Sequence, residues 1–390
     1  MVEFSPYAYE FHEDPYPIYR QLREEAPVFY NKELDFWAIS RHADVLAAFK
    51  DPKRYSNSHG VSIDPTARGP GARAGTSFLG MDPPEHTRFR SIVARSFTPR
   101  RVAALEPRIR ELTIGHLDGL VGSGDFDVIK DFAGKLPMDV ISEMLGVPEA
   151  DRNELRGWAD LLVHREEGVF DVPPEGFVAF GNMREYFGEL VARLRAEPGD
   201  DLLSNLIAQD EKERALSNDD LLSFCNLMVV AGNETTTKLL GNALYWLWRN
   251  PAQRTLLQND LSQIPASIEE TLRYDNSTQA LMRLTLEDVE ICGTTIPAGQ
   301  HVLLLVGSAN RDPEVFDRPD DFEIGRDTTE MLSFGRGTHF CMGAALARLE
   351  ARIAFEEWWK RFPAYEVQTE AIERVHSVNV RGFASLPVKV

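Results

Sequence analysis

The stretch Phe334-Gly335-Arg336-Gly337-Thr338-His339-Phe340-Cys341-Met342-Gly343 packs three glycines, a histidine and a cysteine into ten residues. Glycine lets a backbone turn sharply and lie close against a flat object, which the spacing 335, 337 and 343 allows three times. After Cys341 the run Ala344-Ala345-Leu346-Ala347-Arg348-Leu349-Glu350 reads as a helix. The cysteine therefore stands at a helix N-terminus, where the dipole and free amides stabilise a thiolate. His339 and Cys341 are both zinc-ligand types, but no CxxC pair accompanies them and Cys225 and Cys292 stand alone, which disfavours zinc. Three cysteines make no disulfide framework, and this fits a reducing compartment.

Upstream, Asn218 to Arg249 is the longest helical candidate, with Ser217, Asn218 and Asp219 as caps. Leu222, Phe224, Leu227, Met228, Val229, Val230, Leu239, Leu240, Leu244 and Leu247 make it apolar on more than one face, as a buried helix is. Its middle, Gly232-Asn233-Glu234-Thr235-Thr236-Thr237, is polar. Gly232 there is expected to permit a local opening of the helix. Glu270 and Arg273, three apart, share a helix face and are placed to pair; standing alone they would read as a surface ion pair. In Asp82-Pro83-Pro84-Glu85-His86-Thr87-Arg88-Phe89-Arg90 an acidic cap precedes a proline-started helix, and His86 and Arg90 face the same way.

The rest of the chain reads as mainly α with a small β portion. Helices are expected over Asp44–Lys50, Pro84–Phe97, Arg101–Leu120, Pro137–Leu145 and Ala150–Val163. A hairpin pairs Val28–Tyr30 with Phe36–Ile39, and further strands lie at Val289–Ile291, Thr294–Ile296 and His301–Val306. Ser56 to Gly80, rich in glycine, reads as a long loop, either functional or a surface excursion. No linker divides the 390 residues, so residues 1–390 are expected to form a single large domain. A net charge of −19 argues against nucleic acid and anionic membrane surfaces. The longest aliphatic run, Val302 to Val306, is far too short to span a bilayer, and the N-terminus has no signal-peptide pattern, so a cytoplasmic protein is expected.

The 334–343 segment is similar, at every fixed position, to the Phe-x-x-Gly-x-x-x-Cys-x-Gly heme loop of the cytochrome P-450 family, whose thiolate ligation of heme is carried over here from the family. Ala231-Gly232-Asn233-Glu234-Thr235-Thr236 resembles the family's long-helix signature, and Glu270-x-x-Arg273 its proximal pair. The resemblance runs from Asp14-Pro15-Tyr16-Pro17 to Leu386-Pro387-Val388. It implies the triangular, helix-rich P-450 fold, with heme b (iron protoporphyrin IX) as cofactor and Cys341 on the iron. His86, Arg90, Arg283 and His339 are implied as propionate contacts, and Glu234 and Thr235 as the acid–alcohol pair of oxygen activation. By family position Phe78, Leu79, Ala231, Thr235, Ala280 and Leu281 line the substrate pocket, with Val163 to Phe180 in its lid. The family often completes the Glu270–Arg273 group with an arginine in Pro-Glu-Arg-Phe. This chain has Pro319-Asp320-Asp321-Phe322, leaving Arg318 or Arg326 to substitute.

The implied activity is a monooxygenase: one atom of O2 enters a lipophilic small molecule, with electrons from a ferredoxin and ferredoxin reductase, the protein acting as a monomer. Arg100, Arg101, Arg336, Arg348 and Arg352 are the candidate basic face for an acidic electron carrier. A peroxide-driven peroxygenase and a non-catalytic heme-binding sensor are the alternatives; Glu234–Thr235 weighs against both.

Overall fold

The computed structural model describes residues 2–213 and 216–390. Its organising element is the helix Asn218–Arg249, hereafter the long helix. The Ser217 hydroxyl accepts from the Asp220 amide at 3.1 Å, and the Asp220 carboxylate accepts from the Ser217 N–H at 2.9 Å. This reciprocal cap satisfies donors that a helix start otherwise leaves free. From there the helix runs through two apolar cores. Its first half, with Leu221, Phe224 and Val229, packs with Phe89, Met183, Phe187 and Leu145. Its second half, with Leu240, Leu244 and Leu247, packs with Phe132, Ile268, Phe355 and Trp358. Apolar residues all round the helix are thus consumed on every side, as such a sequence requires.

The main sheet has five strands in the order Val28–Asn31, Phe36–Ile39, His301–Leu305, Ala280–Thr285, Tyr55–Ser56. The first pair is the expected hairpin, antiparallel with Val28 opposite Ile39. Phe36–Ile39 and His301–Leu305 run parallel, whereas Ala280–Thr285 is antiparallel to His301–Leu305, with Leu281 opposite Leu304 and Arg283 opposite Val302. Because side chains alternate along a strand, that register decides which residues of Ala280–Thr285 face which core.

Three local expectations change. The helix expected over Arg101–Leu120 is two, Pro99–Ala104 and Glu106–Asp118, parted at Leu105 because Pro107 has no N–H to continue the first. Asp82 does not cap the helix Glu85–Val93; its carboxylate instead accepts from the Asn57 amide at 2.8 Å and from the Ser56 hydroxyl. Ser56–Gly80 is more than a loop: it contains helical turns at Arg73–Thr76 and Ser77–Gly80. Arg73 ties it to Glu85 and to Asp220 on the long helix, each at 2.6 Å. Among the described residues no helix is long and apolar enough to cross a membrane.

Candidate functional site

Cys341 sits between the helical turn Gly337–His339 and the helix Ala344–Arg361. Its N–H donates to the Phe334 carbonyl at 2.8 Å, which closes the loop. Gly337 has φ +69°, and a Cβ there would come within 2.6 Å of the Phe49 carbonyl oxygen, so only glycine fits. Cys341 is crowded by protein yet keeps an exposed side. Burial pushes its thiol up, while the amides of Gly343 and Ala344 and the guanidinium groups of Arg90 and Arg348 pull it down. A ligand cation at this sulfur would complete that second set and leave a thiolate.

Around Cys341 the fold gathers four donors from three elements. His86 and Arg90 come from the helix Glu85–Val93, Arg283 from the strand Ala280–Thr285, and His339 from the cysteine loop itself. The two imidazoles lie 4.0 Å apart, and none of their four ring nitrogens makes a well-formed hydrogen bond although all are buried. Buried polar atoms without partners are costly and rare, so four together mark a place for an acceptor. Burial and the Arg90 charge hold His86 down at about 4; burial, His86, Arg283 and Arg90 hold His339 down at about 2. Arg283 is 3% exposed, and burial lowers it to about 10; its Nη1 donates only to the Met282 carbonyl, at 2.7 Å. Arg90 donates to the Phe340 carbonyl. Two cations and two neutral donors around a free thiol fit a flat group bearing two carboxylates and a metal. The residues present therefore fit heme b.

Beneath the loop, Glu270 and Arg273 are fully buried and meet in a two-bonded pair, both bonds 2.8 Å. Glu270 also accepts from the Glu323 amide at 2.9 Å and pairs with Arg326 at 3.4 Å. Arg326 is thus the third member of this group. Arg318 is exposed and spends its charge on Asp317, Asp321 and Glu323.

Above the loop, the long helix passes through its polar middle without a break. The Thr235 hydroxyl donates to the Ala231 carbonyl at 2.8 Å, and Ser277 donates to the Thr235 carbonyl at 2.7 Å. The expected opening at Gly232 is absent, because side-chain hydroxyls supplement the ladder here without displacing it. Gly232 serves close packing instead: a Cβ would lie 3.3 Å from Ile141 on the neighbouring helix Leu136–Leu145. Glu234 is buried and lies 3.2 Å from the Lys238 ammonium.

The expected pocket residues divide. Ala231 and Thr235 are half-buried on one face of the long helix, and Leu281 and Leu79 are half-buried as well. Phe78 is buried and stacks on Phe89 with ring centres 5.8 Å apart. Ala280 points the other way: strand alternation sends it, with Met282, into the core of Tyr19, Leu303 and Leu305. Leu281 and Arg283 share the opposite face. The reading from sequence missed Lys238, whose four-residue offset from Glu234 was a visible signal, and Asp160, which touches Glu234 from the helix Arg152–Val163 and carries no local signal.

The geometry defines a helix-rich protein in which a cysteine loop, two imidazoles and two guanidinium groups fit a heme. A family profile, Cytochrome P-450, matches residues 180–387. Putative cytochrome P-450 123 of Mycobacterium tuberculosis is 51% identical over 99% of this chain and 96% of its own length. Vitamin D(3) 25-hydroxylase of Pseudonocardia autotrophica is 41% identical over 97% of this chain and 94% of its own. Among solved structures, CYP109E1 from Bacillus megaterium in complex with testosterone superposes with a TM-score of 0.91 at 32% identity, covering 98% of this chain and 99% of that one. This chain belongs to the cytochrome P-450 family. It is a monooxygenase with heme b as its cofactor.

Proposed function

We propose that Cys341 is the thiolate ligand of the heme iron in a ferredoxin-dependent monooxygenase acting on a lipophilic small molecule, residues 1–390 forming one domain. The observation that carries this is the accessible Cys341 thiol beside two imidazoles whose buried ring nitrogens make no well-formed hydrogen bond. Heme b held by a thiolate activates dioxygen so that one oxygen atom enters a substrate bond and the other leaves as water. The residues of this chain do the rest. His86, Arg90, Arg283 and His339 would take the two propionates, and the Gly343 and Ala344 amides would hold charge on the sulfur. Thr235 would hold a proton at its hydroxyl near the reacting oxygen, and Glu234 would resupply it.

The lid favours a lipophilic substrate. Leu161, Phe170, Phe177 and Val178, all large and exposed, fall at the corner between the helices Arg152–Val163 and Pro174–Ala196. Such a patch suits an entry route for apolar molecules. Relatives named for vitamin D(3) and solved with testosterone make rigid polycyclic lipids the first class to screen. For the electron carrier, Arg348 and Arg352 are engaged with Glu269, Glu106 and Glu356. Among the described ion pairs none uses Arg100, Arg101 or Arg336, which leaves these three as the contacts for an acidic ferredoxin. The test is the reduced carbon monoxide spectrum: the thiolate-type band is expected in the native protein and lost in Cys341→His. Persistence of that band in Cys341→His would overturn the assignment.

A further inference from the structure

The long helix buries more charge than the chemistry above uses. Glu234 is 1% exposed and Lys238 3%. Glu234 Oε1 accepts from the Asn233 amide at 3.2 Å, while Oε2, 3.2 Å from the Lys238 ammonium, has no well-formed hydrogen bond. Enclosed in this way, Glu234 cannot take a proton from water directly. Asp160, in the last turn of the helix Arg152–Val163, is different. It reaches solvent, yet it lies within hydrogen-bonding contact of Glu234 across the helix interface. The other charged groups acting at this spot are Arg156, one turn back, and Lys238; His164, four residues on, also feels Lys238. Two touching carboxyl groups, one of them enclosed by protein, do not both ionise readily and share a proton instead. Burial first, and the Glu234 charge second, hold the Asp160 carboxyl up at about 7.

We infer that Asp160 is a positioning residue that relays protons from solvent to Glu234, an inference that rests on the reading of Glu234–Thr235 as the proton-delivering pair. The Asp160 O–H proton moves to the Glu234 carboxylate whenever Glu234 releases one toward Thr235. Water then returns a proton to Asp160. One proton enters for each one delivered, only O–H bonds form and break, and no electrons move. The lid helix thereby carries part of the catalytic supply line, and not only part of the pocket roof.

The test compares Asp160→Asn, Asp160→Glu and Glu234→Gln in the full-length holoenzyme, each first checked for native heme content and an unchanged reduced carbon monoxide band. Asp160→Asn is expected to lower ferredoxin-supported turnover about tenfold or more and to shift its pH profile, with Asp160→Glu restoring most of it. Peroxide-supported turnover should stay unchanged, because peroxide brings its own protons. A second measurement needs no turnover: an infrared band of a protonated carboxyl group should titrate near pH 7 in the resting protein and vanish in Asp160→Asn. If Glu234→Gln is impaired while Asp160→Asn turns over normally or keeps that band, the relay is refuted and the Glu234 reading survives. If neither variant loses ferredoxin-supported turnover, the Glu234–Thr235 reading itself falls, and the relay with it.

Discussion

Two helices of this protein each bury a glutamate with a cation one turn further on: Glu270–Arg273 beneath the cysteine loop and Glu234–Lys238 in the middle of the long helix. In sequence they look alike. In the fold they are opposites. Glu270 receives both nitrogens of Arg273, the Glu323 amide and Arg326, and Arg273 further donates to the carbonyls of Asn310, Pro319 and Asp321. Every N–H of Arg273 has an acceptor and both Glu270 oxygens are engaged, which is the condition under which a buried ion pair holds a structure together. Glu234 has a single-headed cation, one amide donor and a second carboxyl group for company. The saturated pair fixes one geometry; the unsaturated pair leaves a proton free to move. Spacing makes the pair, and the number of neighbouring donors decides whether it is a brace or a relay.

That contrast is broken or sharpened most strongly at Arg273. Arg273→Ala strands the fully buried Glu270 and should remove about 3–5 kcal/mol of stability, read as a large fall in unfolding midpoint and in heme retained on purification. Arg273→Lys should rescue little, because one ammonium cannot replace a fork that serves five acceptors. A smaller effect is expected at Glu234. In Glu234→Gln, Asp160 is free to ionise and becomes the counter-ion of Lys238, so the stability loss should stay near about 1 kcal/mol even though ferredoxin-supported turnover falls. A loss as large as that of Arg273→Ala would show that the two pairs do the same job.

The smallest effect is one of pH. The folded-state value of Asp160, about 7, lies above that of an unfolded aspartate, so the folded protein binds more protons across that interval. This group therefore removes stability as pH rises from about 4 to about 7, and the effect is level above that. Relative to the native protein, Asp160→Asn should gain in unfolding midpoint on going from about pH 5 to about pH 7.5. An unchanged difference between the two proteins across this range would mean that the Asp160 carboxyl is not held above its ordinary value.

Much of the site is written locally and was legible for that reason. The cysteine loop, the Ser217 cap, the hairpin and the Glu270–Arg273 offset are each encoded within a few residues. Their physical requirements, a positive φ at Gly337 or a turn of helix between two charges, need no distant partner. Ala280 was misplaced because a strand residue's face depends on its partner strand, and the register with Leu305 sends it away from Leu281. The third member of the Glu270 group was ambiguous between Arg318 and Arg326, since both are basic residues near the expected segment.

The sequence by itself determined that this chain has one cysteine in the family's heme-loop pattern, a long apolar helix with Glu234 and Thr235 at its middle, and Glu270 and Arg273 spaced to pair. These depend on neighbours in the chain, and local backbone geometry enforces them. Only the tertiary structure decided that Arg326 completes the proximal group, that the imidazoles of His86 and His339 lie against each other with no well-formed hydrogen bond to their ring nitrogens, and that Asp160 reaches across from another helix to touch Glu234. Burial and electrostatic coupling act through space. An aspartate 74 positions away from its partner announces neither in the string of letters.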